Sequence, residues 1–209
     1  DPEEPTAVMD SNLVPGDIYV VPYNNAPALE AMFEKNASKI ACFIVEPVLE
    51  NLAIILPDAG YLERVRELCD EYNVILIFDE VKTGLTAGAH GASVRLGVEP
   101  DLITLAKSIG GGVPLAAFGG KKKYMDFVTN GKMAHFGTFN GNPLAMAGVR
   151  AIDRLCSDQA LADAEALNQQ ALDRISEIID EYQLPAHTVG FGVKGCVTWS
   201  TTPVRNYRD

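Results

Sequence analysis

Basic residues are scarce in this chain. Its 17 Lys and Arg stand against 28 Asp and Glu, a formal charge of -11 over 209 residues. That deficit argues against nucleic acid or an anionic membrane as partner, since either demands a basic face. Long apolar runs are also missing, and none approaches the roughly 20 residues of a membrane-spanning helix. The first residues, Asp1-Pro2-Glu3-Glu4-Pro5, are acidic and proline-rich, unlike a secretory leader. Cysteine is limited to Cys42, Cys69, Cys156 and Cys196, far apart and without a CxxC pair. Neither a disulfide framework nor a metal site is expected; the four read as reduced, mostly buried thiols of a cytoplasmic protein. What remains, 47% hydrophobic and 22% charged, is ordinary globular material able to bury a core.

Residues 1–26 carry several prolines and little periodicity and read as an irregular lead-in. Pro27 opens a short helix with Leu29, Met32 and Phe33 on one face. The continuous apolar run from Ile40 to Val48 suits a strand buried on both faces. From Asp58 to Tyr72, apolar residues recur at three- and four-residue steps, an amphipathic helix. Val74 to Phe78 is a second buried strand, so this stretch is a βαβ unit with parallel strands. Asp101 to Ala106 and Leu115 to Gly119 continue the strand pattern, and the glycine-spaced segment between Val81 and Pro100 is mostly loop with one or two helical turns. Asn142 caps a helix with Pro143 at its first position. A second helix spans Gln159 to Tyr182, and Gly195 to Trp199 is a lone strand with no expected partner.

In an open parallel sheet, ligands gather beyond the carboxyl ends of the strands. Asp79 follows VILIF and Lys107 follows DLITLA, so the two converge if those strands are neighbours. A carboxylate and an amine so placed suit pyridoxal phosphate (PLP). The carboxylate keeps the pyridine nitrogen protonated, and the amine forms a Schiff base with the aldehyde. The amine can then shuttle a proton at the substrate's α-carbon. Gly110-Gly111-Gly112 permit close backbone approach beside the lysine. Taken singly, an Asp-Glu pair also caps helices or binds metal, and a lysine before a glycine loop is also simply solvated.

The segments IVEPVLEN (44–51), FDEVKTG (78–84), PDLITLAKSIGGGVPLAAFGG (100–120) and GTFNGNPLAMAG (137–148) carry a resemblance that runs from Val21 to Arg208. Together they resemble the class III aminotransferases of PLP fold type I, nearest the glutamate-1-semialdehyde aminomutase branch. The resemblance implies an α/β fold. Residues 27–155 would form the second half of the large, mainly parallel-sheet cofactor domain. Residues 156–209 would be a connecting helix and the start of a C-terminal domain. It implies Lys107 as the Schiff-base lysine, Asp79 as partner of the ring nitrogen and Val81 against the ring face. Asn51 would lie near the cofactor's 3-hydroxyl, with Glu46 close by. Thr138 and the Gly137 amide would bind the cofactor phosphate of the other subunit, which implies a homodimer with shared sites. Val81 is equally a core residue, Asn51 a turn residue and Thr138 a loop hydroxyl. His135 is a weaker acid-base candidate; His90 and His187 read as surface or loop residues. Lys82 and Lys121-Lys122-Lys123 read as solvated, the triplet at a helix start.

Departures from the motifs are specific. Glu50 stands where EPVxGN usually has glycine. Lys82 to Thr86 lack the Phe-Arg that often follows Thr-Gly in the aminomutase, and Phe139-Asn140 replace Leu-Ser. Nothing before Ile40 resembles the family's phosphate loop or ring-stacking aromatic, and full members are about twice as long, so a truncated chain is expected. Three functions follow. The first is a transaminase moving an amino group between an amine or amino acid donor and a carbonyl acceptor. The second is the intramolecular aminomutase reaction. The third is an inactive fragment serving only binding or dimerisation.

Overall fold

A computed structural model describes residues 18–205; most of the expected lead-in lies outside the described residues. Helix α1 (Ala26–Asn36) starts at Asn25, whose side chain accepts from Ala28 N–H, with Pro27 in the first turn. Strand β1 (Cys42–Val45), helix α2 (Tyr61–Glu71) and strand β2 (Ile75–Glu80) complete the expected βαβ unit. Two short helices follow, α3 (Thr83–Thr86) and α4 (Gly91–Leu96), in the segment expected to be mostly loop with one or two helical turns. Strands β3 (Leu102–Ala106) and β4 (Ala116–Gly120) finish the first sheet. Then come α5 (Lys122–Thr129), α6 (Pro143–Leu155) and α7 (Asp158–Glu181). Asn142 caps α6 as expected, its side chain accepting from Ala145 N–H at 2.9 Å.

The strand order is β1-β2-β3-β4, the first three parallel and β4 antiparallel. Leu76, Phe78 and Glu80 point to one face of β2, and all are buried. Against the apolar pair pack Leu29 and Phe33 of α1 and Leu62, Val65, Leu68 and Cys69 of α2. Each such side chain, fully buried, contributes about 1.5–3 kcal/mol. Burial also pushes the Cys69 thiol up to about 12.

The strands were expected to be buried on both faces; among the described residues they are covered on one. The register puts Ile44, Ile77, Asp79, Thr104 and Phe118 on the other face, with Ile44 59% and Phe118 39% exposed. The apolar runs are continuous, but α1, α2 and α4 supply a layer to one side only.

The expected lone strand has a partner. Strand β5 (His187–Phe191) pairs antiparallel with β6 (Lys194–Thr198) as a hairpin. Gly190 and Gly195 let it close on α7, since a Cβ at either would meet Leu172 at 2.6–2.7 Å. His187 is thus a half-buried strand residue whose Nδ1 contacts the Ser200 carbonyl at 2.7 Å, rather than a surface or loop histidine. Lys121 is likewise not simply solvated: it and Arg66 both lie 3.0 Å from the buried Asp101.

Candidate active site

Three parallel strands deliver three ionisable groups to one end of the sheet. Glu46 directly follows β1, Asp79 is the penultimate residue of β2, and Lys107 directly follows β3. Sequence reasoning placed Asp79 one residue past its strand; β2 extends through Glu80, which fixes the Asp79 side chain more firmly. Asp79 pairs in register with Thr104. Its Oδ1 accepts from Val81 N–H at 3.0 Å and from the Thr104 hydroxyl at 3.3 Å. Both bonds fall on Oδ1, so Oδ2 has no hydrogen bond among the described residues. Thr104 had no assigned role; its signal was a hydroxyl inside the apolar run DLITLA, on the same face as Asp79.

Lys107 is exposed and adopts φ +52. A left-handed backbone at a non-glycine residue costs about 1–3 kcal/mol and persists only where its surroundings impose it. Those surroundings are the glycine turn, with Gly111 at φ +60 and Gly112 at φ +90. The close approach is to α6: a Cβ on Gly148 would stand 2.4 Å from the Gly110 carbonyl oxygen. The glycines therefore seat the lysine turn on α6.

Glu46 titrates above the ordinary glutamate range. Burial is the main cause, the Asp79 charge adds to it, and Lys82 and Lys107 oppose it. Glu46 is thereby within electrostatic reach of both Asp79 and Lys107. Asn51 sits exposed in a 3-10 turn (Glu50–Leu52) of the loop after β1, and half-buried Val81 follows β2 directly. Glu46, Asp79, Val81 and Lys107 thus lie at the carboxyl ends of β1–β3, with Asn51 further along the loop after β1.

Gly137 and Thr138 do not join that corner directly. They lie in an exposed turn whose Asn140 N–H donates to the Gly137 carbonyl at 3.0 Å. The Asn140 amide contacts His135 Nε2 at 3.2 Å, and His135 packs edge-on against Phe118 at 5.1 Å. Phe118 is the cross-strand partner of Thr104. Exposed Phe136 (93%) and Phe139 (81%) flank the turn. His90 is a surface residue, 3.9 Å from Asp158.

Glu80 faces away from Asp79, into the covered side. Its carboxylate accepts from Ala92 N–H at 2.6 Å, Ser93 N–H at 2.8 Å and the Thr83 hydroxyl at 3.3 Å. The Asp-Glu pair therefore divides: one carboxylate faces the site and the other caps α4.

A mainly parallel α/β sheet with a carboxylate and a lysine at adjacent strand ends defines the class: the fold of the PLP-dependent aminotransferases. The model of the family described as aminotransferase class-III matches residues 9–201, and the chain belongs to that family. It is similar to the glutamate-1-semialdehyde 2,1-aminomutase of Opitutus terrae, 41% identical over 90% of this chain and 45% of the relative. That of Methanobrevibacter smithii is 38% identical over 98% of this chain and 49% of the relative. The chain spans less than half the length of these curated relatives. Among solved structures, a β-phenylalanine aminotransferase from Variovorax paradoxus superposes with a TM-score of 0.88 at 30% identity, covering 96% of this chain and 47% of that one. An omega-transaminase from Sphaerobacter thermophilus gives 0.85 at 31% identity, covering 91% and 44%. A glutamate-1-semialdehyde aminomutase from Pseudomonas aeruginosa, in complex with PMP, gives 0.79 at 25% identity, covering 94% and 47%.

Proposed function

We propose that this chain carries the lysine and ring-nitrogen carboxylate of a PLP-dependent transaminase, which moves an amino group between an amine or amino acid and a carbonyl acceptor. The observation that carries the reading is the placement of Asp79 and Lys107 at the carboxyl ends of adjacent parallel strands. The donor set fits the cofactor: a carboxylate oxygen without a hydrogen bond among the described residues, an exposed amine and an apolar Val81 between them in sequence.

When bound, PLP supplies an aldehyde for an amine to bond and an electron-accepting ring. Asp79, pinned by Val81 N–H and Thr104 so that it need not reorganise, would pair with the ring nitrogen. Lys107 Nζ, freed once the substrate amine has displaced it, would take the proton from the substrate's α-carbon and deliver it to the carbon on the other side of the nitrogen being transferred. Val81 would supply apolar surface for the ring, and Asn51 and Glu46 would line the site from the segment after β1. Glu46 keeps its proton to higher pH than an ordinary glutamate and can donate a hydrogen bond there.

Gly137 and Thr138 would bind the cofactor phosphate in a second copy of the chain. Their exposure beside Phe136, Phe139 and Leu144 (67%) supports a shared-site homodimer, because apolar patches of this kind mark interfaces. Four free cysteines support a cytoplasmic setting, and among the described residues no helix is long and apolar enough to cross a membrane. The 27–155 and 156–209 segments are the cofactor-domain and C-terminal-domain pieces.

Titration with PLP tests the reading. An absorbance band at about 400–430 nm is expected, as for imine-bound cofactor. It is absent in Lys107→Ala. No band in either protein overturns the reading in favour of an inactive binding fragment. The aminomutase reading draws on the curated relatives at 38–41% identity. Robust exchange with a separate keto acid counts against it.

A further inference from the structure

Contacts converge where the tip of the β5–β6 hairpin meets the loops that follow β1 and β2. Lys194 at the start of β6 forms an ion pair with Glu50, whose side chain is 1% exposed. The Glu50 carboxylate also lies 3.2 Å from the Thr86 hydroxyl, which donates to the Lys82 carbonyl at 2.6 Å. At the hairpin turn, Val193 N–H donates to the Thr86 carbonyl at 2.9 Å. Gly192 lies so close that a Cβ would stand 2.0 Å from that same oxygen.

These contacts reach both site loops. Glu50 opens the turn that carries Asn51, and Thr86 ends the helix that begins just beyond Val81 and Lys82. A carboxylate this buried is tolerated only with a cation and donors against it. Lys194, 144 residues away in sequence, is that cation. The glutamate that replaces the motif's usual glycine therefore has a partner in the hairpin.

We propose that Glu50 and Lys194 are a positioning pair: their ion pair makes the placement of Asn51, and through Thr86 that of the Val81–Thr86 loop, depend on the seating of the C-terminal hairpin. The functional consequence rests on the PLP reading; the contact does not. Neither residue touches the reacting atoms.

Hydrogen exchange on the cofactor-free protein tests the contact, with peptides covering 47–55, 190–198 and, as a control, 61–71. Lys194→Met is expected to speed exchange at 47–55 by about tenfold, and Glu50→Gln to do the same at 190–198, while 61–71 stays protected. The double variant exchanges no faster than the faster single one, and Lys194→Arg keeps 47–55 protected. Acceleration confined to each variant's own segment, or equal at 61–71, overturns the pair. The positioning role is read from PLP titration: Lys194→Met weakens binding about tenfold and Lys194→Arg restores it. Unchanged affinity alongside coupled exchange overturns that role. A wild type that takes up no PLP overturns the functional reading and the positioning role with it, while exchange still reports the contact.

Discussion

Replacing Glu80 separates the two carboxylates of the Asp-Glu pair by their roles. Glu80 is 1% exposed, and both of its oxygens are engaged: Oε2 by Ala92 N–H and the Thr83 hydroxyl, Oε1 by Ser93 N–H. In Glu80→Gln, either orientation of the amide turns an NH2 group toward a backbone N–H. One charge-assisted bond is lost and another becomes neutral, costing about 1.5–3 kcal/mol. Glu80→Ala orphans both amides at the start of α4, at about 1–3 kcal/mol each, so the total loss is about 2–6 kcal/mol. Urea titration reads both losses as shifts in midpoint at constant slope. Because the Asp79 bonds are untouched, any loss of PLP affinity in the protein that remains folded comes only through Thr83 and its loop, and is smaller than the loss of stability. A Glu80→Gln variant within about 0.5 kcal/mol of wild type refutes the capping argument, as does a Glu80→Ala variant no worse than Glu80→Gln.

Other perturbations follow from single contacts. Burial raises the Asp101 carboxyl, but bonds from Leu76 N–H, Lys121 and Arg66 outweigh it, so the group titrates below its usual value. Its stabilisation is present above the unfolded value of about 3.9 and is lost as pH falls through the lower folded value. The gap in urea midpoint between wild type and Asp101→Asn therefore narrows as pH drops below about 4. Gly192→Ala combines a residue at φ +60 with a Cβ 2.0 Å from the Thr86 carbonyl, whereas Gly60→Ala at φ +80 meets nothing within 4 Å. Gly60→Ala should cost only the left-handed penalty of about 1–2 kcal/mol, and Gly192→Ala clearly more, measured by thermal unfolding. Asp79→Asn keeps the Val81 N–H bond but loses the charge proposed to pair with the ring nitrogen, so turnover is expected to fall at least about tenfold with little change in unfolding.

Much of this architecture is legible in the sequence because the apolar periods are clean. The βαβ unit, the Asn142 cap and the position of Asp79 and Lys107 at the carboxyl ends of strands all follow from local patterns. Strand β5 escaped notice because His187-Thr188-Val189-Gly190-Phe191 has neither alternation nor a continuous apolar run. Its pairing with β6 and packing on Leu172 are tertiary. The one-sided burial of the sheet was hidden for a related reason: VILIF reads the same whether one face or both are covered. Buried charge was the least legible feature. Glu50, Glu80 and Asp101 look like surface residues until their distant partners Lys194, Ala92 and Arg66 are in place.

Reductive trapping tests the central claim most directly. The protein is incubated with PLP, treated with borohydride, digested and mapped by mass. The cofactor adduct is expected on the peptide containing Lys107 and nowhere else, with none trapped in Lys107→Ala. Adduct on Lys82 or on Lys121–Lys123 with Lys107 unmodified would contradict the account.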